Sequence, residues 1–258
     1  MPWSIDAFAM FAGRLADASG QIARRYYRSG VSVDIKADDS PVTRADREAE
    51  ACLREMIAAE FPDHGIIGEE FGSVGIDREF VWILDPIDGT KAFITGRPTF
   101  GTLIGLLHRG TPILGVIDHP ALHERWLGGT GLPTRFQGAV VQTRSCAGIA
   151  DAILANTAPE MFIADRKPAF ERLRQAVKLP IYGGDCHNYG LLASGYIDIA
   201  VDATMGIHDF LPLVPVVNGA GGAITDWQGN AMTLDSDDRV IAVGDQRLLA
   251  PVLELLAG

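Results

Sequence analysis

Val81-Trp82-Ile83-Leu84-Asp85-Pro86-Ile87-Asp88-Gly89-Thr90-Lys91-Ala92-Phe93 is the stretch on which the reading of this chain turns. Four apolar residues in a row, Val81 to Leu84, predict a buried strand. Asp85 follows at its carboxyl end, and Pro86, with no N–H to donate, is expected to stop strand pairing there. Asp88 comes three residues after Asp85, and Gly89-Thr90 supplies a flexible turn with exposed amides. Two carboxylates this close repel each other unless a cation lies between them. Oxygen-only ligands suit a hard ion such as Mg²⁺, which keeps several waters and shares its other positions with phosphate oxygens. The same residues also suit a plain strand-ending turn, with Asp for its side-chain bond and Gly for a positive φ. The rest of the chain decides between the two.

Toward the N-terminus, residues 4–27 read as an amphipathic helix with Phe8, Phe11, Leu15, Ile22 and Tyr26 near one face. A short strand at 31–35 and a polar loop follow. Thr43-Arg44-Ala45-Asp46 has the form of a capping box, and Ala49, Leu53, Met56 and Ile57 make a helical stripe after it. Asp46 is thereby accounted for as a first-turn acid complementing the helix dipole. Ile66-Ile67 reads as a short strand running into Gly68-Glu69-Glu70-Phe71-Gly72. Beyond the central stretch, 100–107 and 113–117 form a hairpin around Arg109-Gly110, with further strands at 123–127 and 136–142.

The second half alternates strand and helix: strands at 153–155, 179–182, 197–201, 223–226 and 240–243, and helices at 169–177, 186–193 and the C-terminus. Asp185 and Asp209 both stand where an N-cap is expected. The apolar segment 210–217 reads as a helix kinked at Pro215. The pattern suggests a mixed α+β half, 1–145, carrying most of the candidate ligands, beside a layered α/β half, 146–258, carrying Asp209 and the residues that choose the substrate.

The chain has 258 residues, of which 47% are hydrophobic and 21% charged, an ordinary composition for a globular protein with one large core or two packed halves. Its formal net charge of −11 argues against nucleic-acid or anionic-membrane partners. Charged residues interrupt the N-terminal helix, so no signal peptide is read there, and no apolar run approaches membrane-spanning length. Cys52, Cys146 and Cys186 are far apart and odd in number, which points to reduced thiols in the cytoplasm.

Five carboxylates therefore stand at candidate loop or helix ends: Asp46, Glu69, Asp85, Asp88 and Asp209. Such a set can hold two or three divalent ions, and a pair of metals about 4 Å apart can activate a water and stabilise a leaving alkoxide in an in-line displacement. Gly68-Glu69-Glu70, Asp85-Pro-Ile-Asp-Gly-Thr90 and the late Asp209 followed by Gly219-Ala-Gly-Gly222 resemble, over nearly the whole chain, the inositol monophosphatase superfamily. That resemblance implies an α/β fold layered αβαβα, Mg²⁺-dependent and generally lithium-sensitive phosphomonoesterase activity, and a homodimer. It assigns Glu69, Asp85 and the carbonyl of Ile87 to a first metal, Asp85, Asp88 and Asp209 to a second, and Asp46 to a weaker third. Thr90 would pair with Glu69 to orient the attacking water, while the amides of Gly89 and Thr90 would cradle the phosphate. The reaction so implied has no covalent enzyme intermediate.

Within the superfamily the chain looks most like histidinol-phosphate phosphatases. The residues that carry this are Lys36-Ala-Asp-Asp-Ser-Pro-Val-Thr43, Asp88-Gly-Thr-Lys-Ala-Phe93 with Gly96-Arg-Pro98, Gly183-Gly-Asp-Cys-His-Asn-Tyr189 and Asp209-Phe-Leu-Pro-Leu-Val-Pro215. An extra anion at Asp185 suits a substrate bearing an ammonium group. Asp185, Asn188 and Asp202, together with Gly184 and His187, are the candidates for reading the non-phosphate end. The rivals are inositol monophosphate, a neutral polyol ester for which an extra anion beside the phosphate is a poor choice, and sugar bisphosphates or nucleotide 3′-phosphates, which call for additional basic residues where the sequence puts acids around the pocket. A regulatory binding protein that keeps the fold is the rival of another class, disfavoured because all five carboxylates are retained.

Overall fold

Two hydrophobic periods, 2 along the strands and 3.6 along the helices, sort the apolar residues onto faces that can be buried only by stacking layers. The structure, a computed structural model, describes residues 3–30, 33–35 and 41–257. Residues 36–40, the core of the Lys36–Thr43 motif, lie outside the described residues.

In chain order, α1 (Ile5–Tyr26) is followed by a small ribbon of β1 (Val33–Ile35) and β2 (Pro41–Thr43), and then by α2 (Arg44–Glu60). The capping box is present: Thr43 Oγ1 accepts the Ala45 N–H at 3.1 Å, and the Asp46 carboxylate accepts the Thr43 N–H at 2.9 Å. Next come β3 (Gly65–Gly68), β4 (Gly72–Val74), β5 (Phe80–Asp88), α3 (Thr90–Ile94), β6 (Gly101–His108), β7 (Thr111–His119), β8 (Glu124–Gly129), β9 (Leu132–Phe136) and β10 (Ala139–Val140). They build one sheet in the order β10-β9-β8-β7-β6-β5-β3-β4, antiparallel except where β3 lies parallel to β5.

The chain continues with β11 (Ile153–Asn156), α4 (Arg166–Ala176), β12 (Leu179–Tyr182), α5 (His187–Ala193), β13 (Ile199–Asp202), α6 (Ile207–Phe210), α7 (Leu213–Gly219), β14 (Ala223–Thr225), β15 (Val240–Val243) and α8 (Leu249–Ala257). Their strands form a second sheet in the order β12-β11-β13-β15-β14, parallel across its first three.

Alternation along single strands shows how the layers stack. On β5, Trp82 and Leu84 pack with α1 and α2 residues such as Phe11, Leu15 and Leu53, while Val81 and Ile83 face the opposite way, toward Phe210, Leu213 and Val216. On β15, Val240 and Ala242 share that middle core, whereas Ile241 and Val243 face Phe170, Leu173 and Val252 of α4 and α8. The result is an α/β sandwich of five layers, helices–sheet–helices–sheet–helices. The middle helix α7 lies against the first sheet with almost no spacing. A Cβ at Gly115 would stand 1.9 Å from Pro212 O, and one at Gly128 would stand 2.5 Å from Pro215 O.

Three local expectations are corrected. β5 does not end at Pro86: pairing with β6 resumes at Asp88↔Gly101 after an irregularity that begins at Asp85. Pro86 and Ile87 fall inside that irregularity, where no ladder bond is required of the proline. The strand expected at 136–142 is instead β9 followed by the two-residue β10, because Gln137 and Gly138 both adopt positive φ (49° and 81°) and reverse the chain there. The kink expected at Pro215 lies earlier, between α6 and α7. Pro212 caps α7, and Pro215 is that helix's third residue, in the first turn where an amide has no intrahelical partner anyway.

Candidate active site

The carboxyl ends of β5, β11, β12 and β13 converge with the start of α6, and a cleft of about 300 Å³ opens among them, lined in part by Glu69, Asp85, Asp88, Thr90 and Asp209. Open sheets place ligand sites at strand ends of this kind because the backbone diverges there and leaves space between loops. The β5 irregularity carries out the local positioning. Asp85 Oδ1 accepts the Ile87 N–H at 3.0 Å, and Thr90 Oγ1 donates to Ile87 O at 3.2 Å, closing the turn from both sides. Gly89 has φ +76°, a conformation strained for other residues, and it caps α3.

Asp209 arrives from a segment 121 residues further along than Asp88. It is not the N-cap of α6 but its third residue, with Oδ2 accepting the Gly206 N–H at 2.7 Å and Oδ1 3.3 Å from His208 Nε2. Asp88 Oδ2 accepts the Cys186 N–H at 2.8 Å. One oxygen each from Asp85, Asp88 and Asp209 lie within 4.8 Å of one another. Burial raises the Asp85 carboxyl well above its ordinary range, and the neighbouring Glu69, Asp88 and Asp209 charges raise it further. Asp88 is raised in the same way, by burial and then by Asp185 and Asp209. Asp209 is raised mainly by burial, with His208 opposing.

Asp185 does not cap α5, whose flanking residue is Cys186. The loop before it holds three positive φ values in succession, Gly183 (87°), Gly184 (114°) and Asp185 (50°), and this delivers the Asp185 carboxylate against Gly89. A Cβ on Gly89 would stand 2.7 Å from its Cγ. Burial raises Asp185, while Arg97 and Lys91 pull it back down. These two cations border a groove of about 250 Å³ with Gly184 and Asp185, so the surroundings of the cleft are not purely acidic, as the sequence reading had them.

Asp202 is 2% exposed and lines a chamber of about 130 Å³ next to the cleft, together with Asp88, Asp185 and Asp209. Its oxygens accept from Asn156 Nδ2 (2.9 Å), the Thr157 N–H (2.8 Å) and the Tyr189 hydroxyl (3.1 Å). Burial outweighs those bonds and pushes its carboxyl up to about 7. Asp46 is 1% exposed and is not among the residues that line the cleft, with Oδ2 held by Thr43; burial raises it, and the Glu69 charge adds to the shift. Asn188 is buried against Gly184. His187 lines neither the cleft nor the chamber. Its Nε2 is 2.9 Å from Glu124 Oε2, and its ring packs edge-on to His119 and Trp126.

Sequence reasoning missed Thr157, Met161, Thr204 and Lys91, all of which line the cleft. A signal existed for Thr157, which follows directly on the carboxyl end of the parallel strand β11; Met161 and Thr204 carry none that periodicity could supply.

The donor set fits a hard divalent cation: three crowded carboxylates with raised proton affinity, all of them oxygen ligands, for which a cation would substitute for the protons. Fold and site together define a layered α/β enzyme whose carboxylate cluster could hold a divalent metal. The family model of the inositol monophosphatase family matches residues 5–257, and the chain belongs to that family. It is 45% identical to the chloroplastic bifunctional phosphatase IMPL2 of Arabidopsis thaliana, over 98% of this chain and 75% of that protein. It is 36% identical to a histidinol-phosphatase of Chlorobaculum parvum, over 88% of this chain and 89% of the relative. A solved inositol monophosphatase from Zymomonas mobilis superposes with a TM-score of 0.91 at 43% identity, covering 99% of this chain and all of the other. The chain is a phosphoric monoester hydrolase.

Proposed function

We propose that the chain hydrolyses a small phosphate monoester with Mg²⁺ at two or three positions, and that inositol monophosphate is the substrate the comparisons favour. The observation that carries the reading is the approach of Asp85, Asp88 and Asp209 to within 4.8 Å of one another at the mouth of the Gly89-Thr90 turn. When bound, Mg²⁺ supplies charge neutralisation and a water of lowered pKa. Asp85, Asp88, Asp209, Glu69 and the Ile87 carbonyl hold it, with Asp46 assisting at the weakest position. The Gly89 and Thr90 amides orient the phosphoryl group, and the Thr90 hydroxyl together with Glu69 directs the nucleophile for in-line attack. Lys91 and Arg97 balance Asp185, so a neutral polyol meets no uncompensated anion there.

A second reading, histidinol phosphate, rests on the Asp185 carboxylate packed over Gly89, beside the phosphate position, and on the histidinol-phosphatase relative. Asp202, Asn188 and Gly184 would shape the same end of the pocket. A reducing cytoplasmic setting accompanies either reading, in keeping with three free cysteines, and a homodimer accompanies it on the family resemblance alone.

Phosphate release from inositol monophosphate and from histidinol phosphate, measured side by side with Mg²⁺ and with chelator, separates these readings. Chelator-sensitive turnover with at least a tenfold higher kcat/KM for inositol monophosphate is expected. The reverse preference, reduced selectively by Asp185→Asn, establishes the second reading. Absence of turnover of either ester with Mg²⁺ overturns both.

A further inference from the structure

We infer that Glu50, a residue outside the ligand set, positions Glu69 for metal binding; the inference rests on the metal-dependent reading of the cleft. Glu50 lies one helical turn after Asp46 on α2, and its side chain is fully buried. Its Oε2 accepts the Glu70 N–H at 2.7 Å and its Oε1 the Phe71 N–H at 3.1 Å, while Arg54 Nε donates to Oε1 at 2.8 Å. Arg54 also reaches across to Gly72 O. The amide of Glu69 itself bonds Leu84 O, at 3.2 Å, one residue before Asp85. Three consecutive amides are therefore fixed, the first to the strand that carries Asp85 and the next two to α2.

The loop needs this brace because it leads into β4, the outermost strand of its sheet, whose three residues are all exposed, and Phe71 is itself 52% exposed. The Glu69 charge reaches Asp85, Asp209 and Asp46, so the place of this loop bears on the whole acid cluster. An ionised carboxylate is the suitable brace because it accepts from two amides and a guanidinium at once, in short charge-assisted bonds. A glutamine would turn an NH₂ toward one of those donors. Gly68 leaves the room: a Cβ there would stand 2.1 Å from Glu50 Oε1 and 2.8 Å from Arg54 Nη2.

Two substitutions disturb the same contact from opposite sides, Glu50→Gln and Gly68→Ala. Each is made in the full chain, checked for folding by circular dichroism, and titrated metal-free with MgCl₂ by calorimetry. Residues that orient metal ligands typically change metal affinity 10- to 100-fold. The expected result is a Mg²⁺ Kd raised at least tenfold in both variants. KM for the phosphate ester at saturating Mg²⁺ should stay within twofold, and kcat should recover as Mg²⁺ is raised. A Mg²⁺ affinity within twofold of the unaltered chain overturns the inference even if the melting temperature falls, since that is what a merely structural ion pair would give. Amide hydrogen exchange on the unaltered metal-free chain tests the brace with no variant at all: slow exchange at Glu70 and Phe71 is expected, and unprotected exchange overturns it. If the unaltered chain takes up no Mg²⁺, the metal reading itself falls and the inference with it, a result the control titration identifies separately.

Discussion

A carboxylate buried among other carboxylates lowers its energy by taking up a proton or by taking up a cation, and this choice is built into single residues here. Asp85, Asp88 and Asp209 are raised first by burial, and then by neighbouring carboxylates: Glu69, Asp88 and Asp209 act on Asp85, Asp185 and Asp209 on Asp88, and Glu69 on Asp209, as expected of an acid cluster meant for a cation. Asp202 differs, because burial alone pushes it up to about 7 against hydrogen bonds from Asn156, Thr157 and Tyr189 that favour the ionised form. The folded chain therefore holds that proton across pH 4 to 7, where the unfolded chain has released it. Its stabilising contribution is complete below about pH 4 and is lost as pH rises through 7. Three pKa units at 1.36 kcal/mol each set the scale at about 4 kcal/mol. Asp202→Asn has no proton to release. Its unfolding free energy, measured metal-free by urea titration, should gain on that of the unaltered chain as pH goes from 4 to 7; parallel curves would refute the assignment.

At the scale of elements, residues with local signals were readable and residues placed by packing were not. The capping box at Thr43 and Asp46, the buried run at Val81 to Leu84, and the Arg109-Gly110 hairpin all lie where the sequence puts them. Sequence alone puts the break between α6 and α7 too late, because a proline reads as a kink until the helical turn it occupies is known. His187 reads from sequence either as a ligand contact or as a structural histidine on a helix face, and nothing in the local sequence reveals Glu124, whose carboxylate stands beside its Nε2 from β8. The α7 helix shows how strictly packing sets such positions. Its approach to β7 and β8 leaves no room at Gly115, where a Cβ would stand 1.9 Å from Pro212 O. Gly115→Ala is expected to cost about 1–3 kcal/mol, the usual range for overpacking. A thermal melt checks this, and an unchanged midpoint would show that α7 can shift without cost.

For the whole molecule, the cleft joins elements from both sheets, so a ligand that binds there stabilises the folded chain as a unit. Mg²⁺ at 100 times its Kd contributes about 2.7 kcal/mol. For a chain of this size that corresponds to a rise of roughly 5–10 °C in Tm. Scanning calorimetry with MgCl₂ and then with excess chelator should show the rise and its reversal. A midpoint indifferent to Mg²⁺ would contradict the cation site. Among the described residues no helix is long and apolar enough to cross a membrane.

The sequence by itself determined the chemistry: which residues are carboxylates, that Asp85 and Asp88 bracket a turn at the end of a buried strand, and that strands and helices alternate in layers. Those properties are local, set by side-chain type, backbone freedom and hydrophobic period over a few residues. The family resemblance already put Asp209 with Asp85 on one metal, but only the tertiary structure decided how closely they meet across more than a hundred residues, that Asp185 comes to lie over Gly89 near Lys91 and Arg97, and that Glu50 reaches the loop bearing Glu69. Each of these depends on how far one layer stands from the next and in which register, and that is settled by the packing of whole faces rather than by any residue's own neighbours in the chain.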